Sequence, residues 1–296
     1  MSKSEDKFEH KFADVNNVRL HYVAAGRGKL IIFLHGFPEF WYAWKQQLIE
    51  FGRDYLAVAP DMRGYNLSSK PAEVEQYRMK YLIEDIRALI EHLDYKKCFL
   101  VAHDWGAGVA WPFAIRYPDY LDKLIIINGP HPVTFTRELR DNPQQQKASR
   151  YILVHRTPEA EQILSRDNYG ELAKSLLQDG LKQGYFTEED SKAYLAAWSQ
   201  PGALTGGLNY YRAARLGPFT GEGDHMLSMD SSLFTVKVPT LVIWGEKDKW
   251  LLPGNLNGLE KYVPNLTIKR VPDGSHWVVH EKPELVNSYI RQFIES

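Results

Sequence analysis

The chain has 296 residues, a hydrophobic content of 44% and a formal net charge of −1. This composition is typical of a globular protein with one large core, and so small a charge favours neither nucleic acid nor an anionic membrane as a partner. The single cysteine, Cys98, lies in an apolar run, so no disulfide can form within the chain. No apolar segment approaches the length of a membrane span, and no signal-peptide pattern is visible. We therefore expect a cytoplasmic protein.

The first half of the chain alternates between strand and helix patterns. Residues 18–23 alternate polar and apolar side chains and predict an edge strand. Residues 79–93 carry an apolar stripe at helical spacing. Buried strands are predicted at four continuous apolar runs, residues 30–34, 55–59, 98–102 and 124–128. Strands that alternate with helices in this way predict a parallel, doubly wound sheet.

The alternation stops after residue 130. Residues 131–237 show amphipathic helical patterns without a convincing strand. Two strands then follow, at 238–244 and 266–271, with helices predicted at 254–262 and 283–294. We therefore predict a core domain in two parts, 1–130 and 238–296, interrupted by a helical lid at 131–237.

One carboxylate stands at the sharpest break between a strand and a helix. Asp104 lies two positions after Ala102, the end of the apolar run, and Gly106 and Ala107 lie two and three positions after Asp104. Small neighbours at these positions are typical of a nucleophile elbow, a strained turn that presents one reactive side chain. The usual occupant is serine, so the aspartate restricts the chemistry.

An elbow aspartate favours attack on an alkyl carbon. A carboxylate is ionised at neutral pH and needs no base before it attacks. Attack on an acyl carbon would give an anhydride, whereas attack on an sp3 carbon gives an ordinary ester that water can hydrolyse. The predicted substrates are therefore epoxides and alkyl halides, and esterase or peptidase activity is disfavoured.

Hydrolysis of such an ester requires a general base and stabilisation of an oxyanion. His276 follows the last predicted strand, and the order nucleophile, acid, histidine is that of the elbow fold. Asp248 is the favoured acid, with Glu246 as the alternative, because both follow the preceding strand. The backbone N–H groups of Phe37 and Trp105 are predicted to hold the oxyanion.

The leaving group separates the two reactions. A halide leaves without a proton, whereas an epoxide oxygen becomes an alkoxide and needs an acidic hydroxyl, for which tyrosine is suited. The predicted lid contains several candidates, Tyr151, Tyr169, Tyr185, Tyr194, Tyr210 and Tyr211.

The chain resembles the soluble epoxide hydrolases of the α/β-hydrolase superfamily, and the bacterial members most closely. The matching segments begin at about Phe12 and extend over the rest of the chain. Seven short motifs carry the resemblance, namely His35–Glu39, Asp61–Tyr65, Val101–Ala107, Asn128–Pro132, Asn209–Arg212, Trp244–Asp248 and Ser275–Trp277. The resemblance implies an eight-stranded, mostly parallel sheet with helices on both faces and a helical lid.

The resemblance also implies roles for individual residues. Asp104 corresponds to the nucleophile, His276 to the base and Asp248 to the acid. Tyr211 corresponds to one proton donor in the lid. The other is Tyr151, with His155 as the alternative. The turn formed by His35, Gly36, Phe37 and Pro38 is expected to shape the pocket.

These features together predict an epoxide hydrolase that forms a vicinal diol. Its partners would be a small hydrophobic epoxide and water, without cofactor or metal, in a monomer or homodimer. A haloalkane dehalogenase with the same nucleophile is the alternative, although such enzymes typically place asparagine where Phe37 stands. A non-catalytic binding protein of this fold is a third possibility. Asp61 and Arg63 are expected to form a structural ion pair.

Overall fold

A single twisted sheet forms the core of the protein. The computed structural model describes residues 8–296, and within them eight strands are paired in the order β1-β2-β4-β3-β5-β6-β7-β8. The strands are β1 (Glu9–Val15), β2 (Val18–Ala25), β3 (Lys29–Leu34), β4 (Tyr55–Pro60), β5 (Cys98–His103), β6 (Leu121–Ile127), β7 (Thr240–Gly245) and β8 (Leu266–Val271). Strand β2 runs antiparallel to β1 and β4, and the remaining pairs are parallel. The predicted mostly parallel, eight-stranded α/β fold is confirmed.

The central strands are apolar because both of their faces are covered. Every residue of β5 is buried, and so is all of β3 after its first residue. Strands β3, β5, β7 and β8 run in the same direction, so the loops that follow them lie along one edge of the sheet. This edge brings together segments that are far apart in the sequence.

Helices cover the sheet and also form a contiguous group between β6 and β7. They are α1 (Lys45–Phe51), α2 (Met79–His92), α3 (Trp105–Arg116), α4 (Pro132–Asp141), α5 (Pro143–Ala148), α6 (Arg150–His155), α7 (Ala160–Leu176), α8 (Gln178–Gln183), α9 (Glu188–Trp198), α10 (Ala203–Ala214), α11 (Val278–Glu281) and α12 (Pro283–Glu295). In the part of the chain that the structure describes, α4 to α10 are joined without an intervening strand. Among residues 8–296, no helix combines the length and the apolar character that a membrane span requires.

Side chains connect the α4–α10 helices to the core. The Tyr210 hydroxyl donates to the Arg63 carbonyl at 2.9 Å, and the Trp277 indole donates to the Ser175 carbonyl at 2.9 Å. In each bond, an aromatic side chain on one side of the boundary between the core and the α4–α10 helices donates to a backbone carbonyl on the other side. Directional hydrogen bonds therefore join these two parts in addition to apolar packing.

Two predicted elements are wrong. Residues 18–23 belong to β2, which is not the edge strand, because β1 pairs with its outer side. Strand β1 was missed because it is largely exposed and lacks an apolar face. Residues 254–262 do not form one helix. Two 3₁₀ turns, Pro253–Leu256 and Leu259–Lys261, occur there instead, because Gly258 between them has a φ of +74°.

The expected ion pair between Asp61 and Arg63 is also wrong. Arg63 donates to both oxygens of Asp85 on α2, at 2.8 and 2.6 Å. Asp61 instead lies 2.6 Å from the ring of His21 on β2. These two loop residues, two positions apart, therefore pair with different elements, and only the fold supplies their partners.

Candidate active site

Asp104 occupies a strained turn between β5 and α3. Its φ is +49°, a region that non-glycine residues rarely adopt. A Cβ atom added to Gly36 would collide with the Asp104 side chain, and one added to Gly106 would collide with the Leu34 carbonyl. Glycine is therefore required at both positions, because the elbow packs directly against the end of β3.

The two carboxylate oxygens of Asp104 have different neighbours. Oδ1 accepts a hydrogen bond from the Phe37 backbone N–H at 2.9 Å. Oδ2 lies 3.6 Å from Nε2 of His276. The Trp105 N–H lies at the start of α3, and no hydrogen bond from it to the carboxylate is present. Of the two predicted oxyanion donors, the structure thus brings one into contact with Asp104.

Asp248 orients the imidazole of His276. The Nδ1 atom of His276 lies 2.7 Å from Oδ2 of Asp248, and both side chains are buried. The other oxygen of Asp248 accepts the backbone N–H groups of Trp250 and Leu251 at 2.8 and 2.9 Å. Asn128 also donates to Oδ2, at 2.8 Å. The carboxylate is held by donors on every side, so the orientation of the ring is fixed.

The alternative acid lies elsewhere. Glu246 pairs with Arg270 at 2.8 Å in an exposed position on neighbouring strand ends. It has no hydrogen bond to His276. The structure therefore places Asp248, and not Glu246, against the imidazole.

The charge state of His276 follows from its two acidic neighbours. Burial opposes a charge on the ring, but Asp248 and, after it, Asp104 raise the pKa of His276 to about 9. At neutral pH the imidazole is therefore protonated and lies between two carboxylates. It can act as a base only after one of those negative charges has been removed.

The raised pKa predicts that stability declines at alkaline pH. The folded protein holds a proton on His276 up to pH of about 9, whereas an unfolded histidine releases it near 6.5. The stabilisation is thus complete below pH 6.5 and is lost as the pH rises to about 9, with a total on the order of 3 kcal/mol. Melting temperatures measured from pH 6.5 to 9.5 would show this decline. The decline should be distinctly shallower for the His276→Gln variant. Equal slopes of melting temperature against pH in the two proteins would contradict the raised pKa of His276.

The two predicted tyrosines lie together above the elbow. The rings of Tyr151 on α6 and Tyr211 on α10 are 6.1 Å apart, and Tyr211 also meets Trp105 edge to face at 5.0 Å. Burial, followed by the charge of Asp104, raises the pKa of Tyr151 well above its ordinary value. Burial, Tyr151 and Asp104 do the same for Tyr211. Both phenols therefore remain protonated and can donate hydrogen bonds.

A cavity with two lobes surrounds these groups. The wide lobe has a volume of about 780 Å³ and extends between α3, α4 and the segment after α10. The narrow lobe, of about 290 Å³, extends toward His276 and α7. Among residues 8–296, Asp104, Tyr151 and Tyr211 are the residues that line both lobes. The carboxylate and the two phenols thus face one another where the lobes meet.

The predicted pocket turn connects the site to the sheet. The buried His35 accepts the Met62 N–H on Nε2 at 3.0 Å, and its Nδ1 is 2.9 Å from the Gly36 carbonyl. The peptide between Phe37 and Pro38 is cis, and both side chains line the narrow lobe. His35 therefore stabilises the turn from behind and does not line either lobe.

Residues behind the site were missed by sequence reasoning. Glu39 is buried and lies 2.6 Å from His280, 3.1 Å from His103 and 3.1 Å from the Tyr194 hydroxyl. The other ring nitrogen of His103 donates to the His276 carbonyl at 2.9 Å. Burial alone would raise the pKa of Glu39, but His280 and His103 lower it below its usual range. The sequence signal for this buried group was a glutamate that directly follows the pocket turn and lies within an aromatic segment.

Sequence and structure comparisons place the chain among known proteins. A model of the α/β hydrolase fold family matches residues 29–283. The AB hydrolase superfamily protein YfhM of Bacillus subtilis is 40% identical, over 98% of this chain and 99% of that protein. Epoxide hydrolase 4 of Mus musculus is 39% identical, over 95% of this chain and 77% of that protein. The chain belongs to the epoxide hydrolases of the α/β-hydrolase family.

A solved structure supports the same relationship. An epoxide hydrolase from Bacillus megaterium, crystallised with an inhibitor, superposes with a TM-score of 0.90. It is 45% identical and covers 97% of this chain and 100% of the other. The predicted resemblance to the bacterial members of the epoxide hydrolase family is confirmed.

Proposed function

We propose that the protein hydrolyses an epoxide to a vicinal diol through an ester on Asp104. The observation that carries this proposal is the meeting point of the two lobes, which is lined by Asp104, Tyr151 and Tyr211. Opening of an epoxide ring requires a nucleophile for the carbon and a proton donor for the oxygen. Here one carboxylate and two phenols face the same space. The mostly apolar lining suits a small hydrophobic epoxide.

In the first step, Oδ2 of Asp104 attacks one epoxide carbon. Oδ1 is already bound by the Phe37 N–H, which leaves Oδ2 as the free oxygen. As the new C–O bond forms, the bond from that carbon to the epoxide oxygen breaks and the electron pair moves onto oxygen. Tyr151 and Tyr211 donate hydrogen bonds to this oxygen, and one of them supplies its proton. The product is a hydroxyalkyl ester.

In the second step, His276 activates water. The ester has no charge on Asp104, so one of the negative charges that raise the pKa of His276 is lost, and the ring can release its proton, which returns to the tyrosinate left by the first step. The neutral ring then takes a proton from water, which attacks Cγ of Asp104. Negative charge develops on Oδ1, where the N–H groups of Phe37 and Trp105 stabilise it. Collapse breaks the bond from Cγ to Oδ2, and the departing alkoxide takes the proton from the His276 imidazolium, which releases the diol. The new carboxylic acid of Asp104 then gives its proton to His276, which restores the starting state.

The helices at 131–237 act in this proposal as a lid. Tyr151 and Tyr211 both lie in this segment, on α6 and α10, whereas Asp104, Asp248 and His276 lie on loops of the sheet. Closure of the lid therefore completes the site and excludes bulk water from the ester. We further propose a cytoplasmic location and a monomer or homodimer that uses neither cofactor nor metal.

Removal of the tyrosine hydroxyls distinguishes an epoxide from a halide as substrate. We expect Tyr211→Phe and Tyr151→Phe each to lower kcat/KM for styrene oxide by about 10–100-fold, because the developing alkoxide loses a donor. Bromide release from a bromoalkane needs no such proton. Diol formation and bromide release should be measured for the wild type and both variants.

Tyr169→Phe provides a matched control, since Tyr169 lies on α7 and lines neither lobe. It should leave diol formation unchanged. Bromide release by the wild type, with no diol from a broad panel of epoxides, would show instead that the enzyme is a haloalkane dehalogenase. Saturable binding of epoxides without either product would indicate a binding protein.

A further inference from the structure

Among the described residues, the narrow lobe is lined by a buried imidazole that the proposed reaction does not use. The walls of the lobe are largely apolar and include Phe37, Val154, Ile163, Leu164 and Leu172. Its other polar side chains are assigned to the reaction, are exposed at the outer end, as Glu171 and Ser175 are, or are the indoles of Trp250 and Trp277, of which the second donates to the Ser175 carbonyl. The remaining group is the imidazole of His155.

His155 is held in place by aromatic rings. It ends α6 one turn after Tyr151 and is buried, with a relative exposure of 9%. Its ring centroid lies 4.7 Å from that of Tyr211 and 5.2 Å from those of Phe37 and Tyr151. The orientation of the imidazole is therefore fixed without any hydrogen bond.

Neither ring nitrogen of His155 has a partner among the described residues. Nδ1 is fully enclosed and unpaired, whereas Nε2 is not enclosed. Burial lowers the pKa of His155 to about 4, so the ring is neutral at physiological pH. A neutral imidazole carries one donor and one acceptor, and an enclosed unpaired N–H is the more costly choice. The hydrogen therefore lies on Nε2, as a donor available to a ligand in the lobe.

A buried, unpaired imidazole is unfavourable compared with an apolar ring of the same size. Phenylalanine would fill the same space among Phe37, Tyr151 and Tyr211 without an unpaired nitrogen. A ligand that pairs with Nε2 would offset part of this cost and so account for an imidazole at this position. The required partner is an acceptor oxygen that is small enough for a lobe of about 290 Å³.

We propose that the narrow lobe binds an oxygen-bearing substituent of the epoxide, such as a hydroxymethyl or alkoxymethyl group, which accepts a hydrogen bond from His155. The larger apolar substituent then occupies the wide lobe of about 780 Å³. This inference rests on the proposed function, since it names the substrate class of the same site. His155 is accordingly a specificity residue, distinct from the donors to the epoxide oxygen.

Two nearly isosteric epoxides test this assignment. Both carry a phenyl group on one epoxide carbon, and the other carbon carries either a hydroxymethyl or an ethyl group. The measured quantity is the ratio of kcat/KM for the two substrates, because comparing this ratio between variants cancels their intrinsic reactivities. We expect His155→Phe to reduce the preference for the hydroxymethyl substrate by about tenfold, with little change for the ethyl substrate.

Two further variants isolate the hydrogen bond. His155→Gln retains an N–H donor and should restore part of the preference. Ile163→Val changes the volume of the same lobe without changing its polarity, so its ratio should match the wild type. An unchanged ratio in His155→Phe would overturn the proposal, as would an equal loss on both substrates, which would indicate a packing role or donation to the epoxide oxygen.

Binding of the products separates this proposal from the proposed function. The corresponding triol and diol can be titrated against the fluorescence of Trp250 and Trp277, which line the narrow lobe. Preferential binding of the triol that disappears in His155→Phe would support the subsite even in a protein that turned over no epoxide. Equal affinities for the triol and diol in the wild type would overturn it, whatever the activity.

Discussion

Replacement of Asp104 by asparagine is expected to abolish diol formation, with a loss on the order of 10⁴-fold or more in kcat. The neutral amide is a poor nucleophile, and no other carboxylate of the described residues lines both lobes of the cavity. The amide oxygen can still accept the Phe37 N–H that now reaches Oδ1. The variant should therefore fold normally, and its catalytic loss can be assigned to chemistry.

Isotope labelling makes the same prediction more specific. In a single turnover in H₂¹⁸O, water attacks Cγ of Asp104, so the label enters the carboxylate while the diol keeps an oxygen that belonged to the enzyme. Mass spectrometry of the peptide containing Asp104 would detect it. Asp119→Asn, at an exposed position after α3, provides a control that should retain full activity. Label found only in the diol would contradict the ester and indicate direct attack by water.

The central fold could be predicted because burial leaves a strong signal in composition. Strands β3, β5 and β6 are covered on both faces over most of their length, so each contains a continuous apolar run. Strand β1 carries no such signal, because it is an exposed edge that the antiparallel pairing with β2 stabilises. Gly258 similarly ends a helical pattern through a backbone angle that periodicity does not reveal.

The shared location of the three candidate catalytic residues could be predicted because topology restricts where such groups lie. Asp104, Asp248 and His276 each follow a strand whose carboxyl end lies at the same edge of the sheet. The sequence favoured Asp248 over Glu246, and the structure places Asp248 against the imidazole, but the distances between these groups follow only from the fold. Tyr151 and Tyr211 are a different case, because they lie on separate helices whose packing no short motif determines.

The residues behind the site were beyond prediction for a related reason. Asn128 is not an acid, and its amide is important only because the fold places it 2.8 Å from Asp248. Glu39 gains its role from His103 and His280, which lie 64 and 241 positions away in the chain. Networks of this kind depend on contacts between distant segments. Sequence alone shows that their members are polar, but not that they are buried together.

Replacement of His276 by glutamine is expected to stop the reaction at the ester. Ring opening needs Oδ2 of Asp104 and the tyrosine hydroxyls, and none of these groups is removed. Hydrolysis needs a base, and glutamine cannot accept the proton from water at useful rates. The first turnover should therefore proceed, whereas steady-state diol formation should fall by about 10³-fold or more.

The trapped ester provides the measurement. After incubation with excess epoxide, intact-mass spectrometry should show His276→Gln heavier by one substrate molecule, with the addition located on Asp104. The wild type and the double variant with Asp104→Asn should remain unmodified. His280→Gln tests whether any histidine in this region suffices, because His280 contacts Glu39 and lines neither lobe. This variant should turn over without accumulating ester. A His276→Gln protein that stays unmodified while diol formation ceases would refute the two-step mechanism, because the imidazole would then be needed before the ester forms.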